Sequence, residues 1–437
     1  MIMKKNKNKT LFSFIIHNLI VPLQTEVETK TFFVILLTVL GYIHVFGHND
    51  YDMDKPFGYC TLSHCNDATQ TFDIRGGGCY SYPIPEDFGG KVIVLQSTGN
   101  DMRNEIESAI NDNQVIVFDG SKGDFIVSSS IFLQNVSDKT LLGINKARLC
   151  TKWFVTAELK ETLDAAGVPA MSTSRGGGVL PNGMRVREEA EYHTRRIIME
   201  LTGDKDEVYR QSGIMTLNDC QNIIIRNISF VGPGSIDVGG SDLLSFVHGT
   251  KNCWVDHCSF ADGMDGNFDI TTKSDFLTVS WCTFSYTNRS YMHQNTNLVG
   301  YSDNETTGFL CTTFAFNWWG EGCKARMPMA RAAKVHLLNN YYTSTKAINC
   351  INPRKNSEFL IEGNYIDKGV RNYYSQTDAI AVEWRSDNFI AEADNLPASF
   401  GGPLEIPYFY SVAPCSEVPE VVKENAGATL KSITDNQ

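Results

Sequence analysis

The stretch Lys334–Tyr342, "KVHLLNNYY", combines a short aliphatic strand, an asparagine pair and two terminal aromatic residues. Five further segments in the second half of the chain repeat this pattern: "NIIIRNISF", "CWVDHCSF", "FLTVSWCTF", "TTFAFNWW" and "EFLIEGNYI". The six segments end at Phe230, Phe260, Phe284, Trp319, Tyr342 and Ile366, so successive ends are 30, 24, 35, 23 and 24 residues apart. A minimum near 23 with longer excursions indicates a fixed unit with loop insertions, which is typical of a solenoid.

A second column of residues stands two positions before these ends. Its members are Ile228, Cys258, Cys282, Asn317, Asn340 and Asn364. Stacked coils would place such residues about 4.8 Å apart, close enough for asparagines to hydrogen-bond from coil to coil. The segments lack a 3.6-residue helical period, so the predicted solenoid is β. A β-sandwich is the alternative, but its strands recur at about 8–12 residues.

We predict an all-β chain, a right-handed parallel β-helix with a partly helical insertion and a C-terminal cap. The predicted boundaries are residues 1–47 for a signal peptide or anchor, 48–90 for an N-terminal extension, 91–404 for the β-helix and 405–437 for the cap. The insertion covers about 155–212, where the sequence turns polar and favours helix. The cap contains an amphipathic stretch, "SEVPEVVKENAGATL", expected to protect the open end of the solenoid.

The N-terminal region carries an apolar run, Thr31–Phe46, after a basic start. This run is short for a membrane span and suits the core of a signal peptide. We therefore expect a secreted protein (extracellular, periplasmic or at the cell surface). We expect it to be a monomer without stable membrane association once processed. A retained anchor is the alternative. Export would allow one or two disulfides, with Cys60, Cys65 and Cys79 as the favoured participants. The absence of a CxxC pair argues against zinc.

The overall charge restricts the partners of the chain. With 38 basic and 50 acidic residues, the net charge is −12. Nucleic-acid binders present basic faces, so this balance argues against a nucleic-acid partner. A polyanionic partner of another kind would need a local binding site whose positive charge overcomes the repulsion.

A cation site that could supply this positive charge is predicted around the acidic stretch "ADGMDGNFDITTKSD", residues 261–275. If Phe268 and Ile270 point into the core, Asp269 points outward, and Asp265 leaves the preceding turn toward the same side. Asp242 lies about one coil earlier and could meet both. Carboxylates without histidine or cysteine favour a hard cation such as calcium. The alternative is that these aspartates only cap turns.

A basic motif follows in "CKARMPMARAAK", where Arg326 and Arg331 flank Pro328 just before a strand. Two arginines at the head of a coil could bind carboxylates through paired hydrogen bonds. A solvated basic face is the alternative. Together with an acidic cluster on the preceding coils, the pair predicts a site for an anionic polymer bridged by a cation.

These motifs resemble the pectate lyases of polysaccharide lyase family 1. The resemblance rests on "NCWVDHCSF", "MDGNFDITTKSDFLTVSWCTF", "NLVG" and "RMPMAR…VHLLNNYY", and extends from "KTLLGINKARL" to "EGNYI". It implies a β-helix that cleaves polygalacturonate or pectin, with calcium, by β-elimination to unsaturated oligogalacturonates. It also implies residue roles: calcium on Asp242, Asp265 and Asp269, Arg326 as the base and Arg331 as a substrate-binding residue.

The sequence departs from the family pattern in one segment. Relatives often carry a substrate-binding lysine after the strand equivalent to "LTVSWCTF", but "SYTNRSYMHQNTNLVG" contains none. Arg289 and Lys324 are the candidate replacements. An arginine base would also be costly at neutral pH, because deprotonating a group of pKa about 12.5 at pH 7 costs roughly 7.5 kcal/mol. We therefore expect an alkaline optimum.

Three other functions remain open at this point. A polygalacturonase-type hydrolase would use carboxylic acids and water, but leaves "RMPMAR" without a role. A pectin lyase acting on methylated chains would not need three aspartates. A non-catalytic glycan-binding solenoid would tolerate Arg326→Ala without loss of any activity.

Overall fold

The computed structural model describes residues 58–60, 69–74, 78–83, 92–151, 211–235, 240–290 and 293–430, with the single residues Glu161, Ala165 and Gly183. All belong to one structural unit, residues 54–437. The predicted leader or anchor, 1–47, and nearly all of the predicted insertion lie outside the described residues. Within them, no helix is both long and apolar enough to cross a membrane.

Three parallel sheets form the faces of a right-handed parallel β-helix, and this confirms the predicted fold class. The ten-stranded sheet contains Val92–Gln96, Val115–Asp119, Ser137–Ile144, Gln221–Arg226, Lys251–Asp256, Asp275–Ser280, Cys311–Ala315, Lys334–Leu338, Glu358–Glu362 and Ala381–Trp384. The nine-stranded sheet contains Phe125–Val127, Arg148–Thr151, Ser229–Val231, Ser259–Ala261, Thr283–Ser285, Trp318–Trp319, Tyr341–Tyr342, Tyr365–Ile366 and Phe389–Ile390. The seven-stranded sheet contains Ile131–Gln134, Met215–Asn218, Leu244–Val247, Phe268–Ile270, Leu298–Val299, Met329–Ala330 and Asn352–Pro353. A separate antiparallel pair joins Thr69–Ile74 to Gly78–Pro83.

The column of segment ends is a ladder of paired residues in the nine-stranded sheet. Phe230 pairs with Phe260, Phe260 with Phe284, and the pairing continues through Trp319 and Tyr342 to Ile366. The aromatic rings along it stack nearly parallel, with centroids 4.9–5.6 Å apart. The repeat spacing read from the sequence is therefore the length of one coil.

The asparagine column is a buried hydrogen-bonded ladder. Asn317 Nδ2 donates to Asn340 Oδ1 at 3.1 Å, and Asn340 Nδ2 donates to Asn364 Oδ1 at 3.0 Å. The ladder continues one coil further to Asn388, at 3.0 Å. Buried amides are tolerated because each finds partners in the neighbouring coils.

Two α-helices and one short 3₁₀ helix accompany the sheets in the described part of the chain. The helix Arg103–Asp112 packs Ile106, Ala109 and Ile110 into the core beside the first coils, and the 3₁₀ helix spans Gly120–Lys122. The helix Val418–Asn425 lies within the predicted cap segment and buries one stripe, Val418 and Val422.

The C-terminal helix is amphipathic, as predicted, but lies along the side of the stack. Lys423 Nζ lies 5.0 Å from the ring centroid of Tyr341. Just beyond the helix, Gly427 N donates to Trp281 O at 2.7 Å, and Leu430 N donates to Asn227 Oδ1 at 3.1 Å. These partners belong to three alternate coils in the middle of the chain, so the described contacts of this segment cover a flank of the β-helix.

Candidate functional site

The candidate residues gather where the chain passes from the nine-stranded to the seven-stranded sheet. This connection recurs in successive coils, and parallel stacking places its copies side by side. Asp242, Asp265, Arg289 and Arg326 lie in four such connections, while Asp269 lies in the seven-stranded sheet itself. Residues far apart in the chain are thus brought to one edge of the β-helix.

Asp269, which is buried, and Asp242, which is half-buried, form the inner part of the acidic cluster. Asp269 stands between the core residues Phe268 and Ile270, and its Oδ1 accepts a hydrogen bond from Leu298 N at 3.0 Å. Asp242 Oδ2 accepts a hydrogen bond from Ser245 Oγ at 3.1 Å. Its Oδ1 is buried and has no hydrogen-bond partner among the described residues.

The pKa values of these carboxyl groups show that negative charge is crowded here. Burial, opposed by Arg326, raises the pKa of Asp269 to about 7. Burial and the charges of Asp269 and Asp265 raise the pKa of Asp242 well above its usual value. Like charges in a poorly hydrated site each disfavour the ionised form of the other.

Asp265 faces the loop of the next coil. Its Oδ1 lies 3.1 Å from His293 Nε2, and 39% of its side chain is exposed. As the side chains stand, no three or more histidine, cysteine, aspartate or glutamate side chains in the described ranges are arranged to hold a metal together. The three predicted calcium ligands therefore do not form a ready metal site among the described residues, and Asp265 lies against His293 instead.

The donor set fits a hard cation. The Oδ1 of Asp242 receives no hydrogen bond from the described residues, and buried charges are normally paired or bound to a metal. Irregular sets of carboxylate oxygens suit calcium, which tolerates several coordination numbers. The assignment of Asp242, Asp265 and Asp269 as calcium ligands stays a prediction.

Arg326 lies in the connection two coils after that of Asp265. Its backbone has a left-handed conformation, with φ 61°. Its carbonyl oxygen accepts hydrogen bonds from Asn297 N, at 2.7 Å, and from Thr296 Oγ1. A non-glycine residue held in this region costs of order 1–3 kcal/mol and persists only when its surroundings fix it.

A groove of about 550 Å³ runs past Arg326 toward the C-terminal coils. Arg331 and Arg354 line it with Arg326, and neutral amides from Asn295 and Asn349 complete this part of the wall. The three guanidinium groups make the groove a positive region on an acidic protein, suited to a polymer bearing carboxylates.

Arg331 is held in place by the preceding coil. Its Nε donates to Asp303 Oδ1 at 2.8 Å, and its Nη1 donates to Gly300 O at 3.4 Å. Burial lowers the pKa of Arg331, and the charges of Arg354 and Arg326 lower it further, against the opposing effect of Asp303. The clustered guanidinium groups therefore act on one another electrostatically.

The two candidate replacements for the family lysine lie outside the lining of this groove. Arg289 Nη1 donates to Gly232 O at 2.9 Å, so its guanidinium turns back toward an earlier coil. Lys324 is half-buried, and burial together with the charge of Lys346 lowers its pKa. Substrate binding by either residue remains a prediction.

Sequence reasoning missed His293, Asn295 and Arg354. Arg354 could have been predicted, because it follows Arg331 by the shortest repeat spacing. In the structure Met329 pairs with Asn352 and Ala330 with Pro353, which places Arg331 and Arg354 at equivalent positions of adjacent coils. His293 and Asn295 lie in an irregular loop, where no periodic pattern indicates which side chains face the cluster.

Comparison of the chain with known proteins identifies its family. A family model described as "Pectate lyase" matches residues 194–429, more than half of the chain. The chain belongs to the pectate lyase family. It is 31% identical over 237 residues to a probable pectate lyase A of Aspergillus niger, covering 52% of this chain and 68% of the relative. It is 35% identical over 139 residues to a pectate trisaccharide-lyase of Thermotoga maritima, covering 30% and 36%.

Solved structures support the fold. A pectate lyase from Bacillus sp. N165, in complex with trigalacturonate, matches with a TM-score of 0.52 at 18% identity, covering 85% of this chain and 98% of that one. The cedar pollen allergen jun a 1 matches with a TM-score of 0.52 at 19% identity, covering 78% of this chain and 90% of that one.

Membership of the pectate lyase family makes the chain a polysaccharide lyase. It argues against the two alternative functions, a hydrolase and a non-catalytic glycan-binding solenoid. The family match begins later than the sequence motifs suggested and continues through the C-terminal helix.

Proposed function

We propose that this pectate lyase is a secreted, calcium-dependent enzyme that cleaves α-1,4-polygalacturonate by β-elimination, releasing unsaturated oligogalacturonates. The observation that supports it best is the position of the acidic cluster beside the arginine groove. The pKa values of Asp242 and Asp269 are both raised by burial, and the positive charge of Arg326 opposes the rise in each. A cation held by the carboxylates and a guanidinium from two coils further along the stack would therefore act on the same stretch of polymer.

Asp242, Asp265 and Asp269 are the proposed calcium ligands. When bound, calcium would neutralise the carboxylate of a galacturonate unit and make the adjacent C5 proton more acidic. The chain's own contribution is to hold the three carboxylates at one edge of the β-helix. The amide of Leu298 fixes Asp269 there through its hydrogen bond.

Arg326 is the proposed base. It would take the proton from C5 while a C4–C5 double bond forms and the bond from C4 to the glycosidic oxygen breaks, and the departing oxygen would take up a proton from solvent. Neutral arginine is rare at pH 7, so activity should increase toward alkaline pH.

Arg331 and Arg354 are the proposed binding residues for further carboxylates. They occupy equivalent positions on adjacent coils and both line the groove. A guanidinium binds a carboxylate through two parallel hydrogen bonds, but gains less from a methyl ester, which carries no charge. We therefore propose that unmethylated stretches are the preferred substrate.

The test is an ultraviolet assay of polygalacturonate cleavage at alkaline pH, with added calcium and then with a chelator. The unsaturated product absorbs, whereas the product of hydrolysis does not. We expect a rise that calcium supports and the chelator abolishes. Arg326→Lys should lower kcat by about 100-fold or more, the range of a lost general base, while Arg148→Lys, at an arginine outside the groove, serves as the control. A flat trace with both polygalacturonate and methylated pectin would overturn the proposal, and a response to methylated pectin alone would make the enzyme a pectin lyase.

A further inference from the structure

One column of side chains on the outer face of the ten-stranded sheet is buried although it points away from the interior. The strand register aligns these residues coil after coil: Ile224, Trp254, Thr278, Thr313, His336 and Leu360. Each is at most 2% exposed. An outer face can be buried only if another part of the chain covers it.

The C-terminal part of this column is covered by a segment that follows the last coil. Tyr408 Oη lies 2.7 Å from Thr313 Oγ1 and 2.6 Å from His336 Nδ1. Further along, Leu404 N donates to Glu383 Oε2 at 2.7 Å, and Glu383 pairs with Leu360 in the column. The chain thus runs back over the sheet from its last coil as far as Thr313.

The N-terminal part of the column is covered by the tripeptide Gly58–Cys60. Tyr59 N donates to Thr313 Oγ1 at 3.0 Å, and Cys60 N donates to Thr278 Oγ1 at 3.2 Å. The Cys60 side chain is fully buried against Ile224 and Trp254. The two covering segments meet at Thr313, where the Tyr59 and Tyr408 rings contact edge to face with centroids 5.3 Å apart.

Gly58 fits the column because it has no side chain. Its φ is +120°, and a Cβ added there would lie 2.2 Å from Thr278 Oγ1 and 3.0 Å from Thr313 Oγ1. Glycine reaches this backbone conformation without steric cost, whereas other residues rarely adopt it. The tripeptide therefore has sequence-specific complementarity to the two threonines: a glycine for close approach, a tyrosine for the ring contact and a cysteine for the apolar site.

We propose that the outer column is a docking track for the two terminal segments, with Gly58–Cys60 as the docked part of the N-terminal one. The two segments occupy the track end to end and share the hydroxyl group of Thr313. Removal of a leader must then take place before Gly58, because loss of the tripeptide would expose Ile224, Trp254 and the hydroxyl groups of two buried threonines. Since the track lies on the outer face of the ten-stranded sheet, docking stabilises the fold without touching the arginine groove.

A double-mutant cycle in the full chain tests the docking. Gly58→Ala should lower the Tm by at least about 2 °C, a shift of the size expected for a loss of about 1 kcal/mol. Gly99→Ala is the matched control, because Gly99 also has positive φ (+75°) but no atom within 4 Å of an added Cβ. Thr278→Ala should recover part of the loss when combined with Gly58→Ala, since it removes the atom that clashes. Additive effects in the cycle, or equal Tm values for Gly58→Ala and Gly99→Ala, would overturn the docking.

The N-terminus of the secreted protein gives a second, independent test that does not depend on any variant folding. Mass spectrometry of the mature chain should find a first residue at or before Gly58. A mature, active enzyme that begins after Gly58 would overturn the proposal. Activity toward polygalacturonate should be unchanged in Gly58→Ala, so a failure of the proposed catalytic function would be detected separately.

Discussion

A Cβ added to Gly266 would lie 2.6 Å from Oδ1 of Asp242, the oxygen that has no hydrogen-bond partner among the described residues. The same atom would lie 3.3 Å from Asp269 Oδ1. Gly266 therefore leaves open the space between two carboxylates of adjacent coils, which is the space that a shared cation would need.

Gly266→Ala should weaken calcium binding by about tenfold or more, because the methyl group separates the two carboxylates and occupies the space between them. Isothermal titration of calcium into the metal-free enzyme measures the effect. Gly320→Ala is the control, since Gly320 lies in a connection of the same kind and the nearest atom to its added Cβ is at an ordinary 3.5 Å. An unchanged calcium affinity in Gly266→Ala would place the cation elsewhere.

Arg354→Ala should raise the KM for polygalacturonate by about 5- to 30-fold and change kcat little, because it removes a charged contact worth about 1–2 kcal/mol at a distance from the reacting bond. Steady-state kinetics at constant ionic strength measure the two constants. Lys355→Ala removes the same charge from the adjacent, exposed position and should leave KM nearly unchanged. A similar effect of both variants would mean that only the overall charge matters.

Asn340→Ala should lower the free energy of unfolding by about 2–4 kcal/mol, because several buried partners lose their hydrogen bonds together. Asn340 Nδ2 donates to Phe314 O and Asn364 Oδ1, and its Oδ1 accepts from Asn317. Chemical denaturation measures the loss. The exposed Asn288 provides the control substitution, Asn288→Ala. Equal stability of the two variants would show that the ladder contributes little.

The stability of the enzyme should depend on His336 as the pH falls. Burial lowers the pKa of His336, although Glu362 opposes the shift. His336 faces Tyr408 and Glu362, and Arg385 pairs with Glu362 behind it. A folded-state pKa below the unfolded one gives stability that is present above pH 6.5 and is lost as the pH falls through the folded pKa.

His336→Gln should therefore flatten the decline of Tm between about pH 6.5 and pH 5, because glutamine stays neutral across that range. Thermal unfolding measured at several pH values checks this. His248→Gln, at an exposed histidine, should keep the wild-type slope. If His336→Gln keeps the slope too, the decline has another cause.

Much of the fold could be read from the sequence because a β-helix repeats one local rule. The column from Phe230 to Ile366 and the asparagines from Asn317 to Asn364 mark the coil length, and both are paired as expected. Repeating units leave a periodic signal, so residues in strands were predicted well. The same periodicity relates Arg331 to Arg354, although it was not applied to the turns.

The irregular connections could not be predicted in this way. His293 contacts Asp265 from the next coil, and Arg289 turns away to Gly232, yet nothing in the order of residues between Thr287 and Asn297 distinguishes them. The direction of a loop side chain depends on the coils above and below it. The position of the C-terminal segment was likewise decided by distant partners, since Leu430 bonds Asn227 and Tyr408 bonds Thr313.

The sequence by itself therefore determined the repeating coil, the family and the presence of an acidic motif on coils that precede a basic motif. Those features depend on residue type and spacing, which are local. The tertiary structure alone decided that Asp242 and Asp269 lie beside Arg326, that Arg354 extends the groove, and that two terminal segments share Thr313. These contacts join residues far apart in the chain, and only the stacking of coils brings them together.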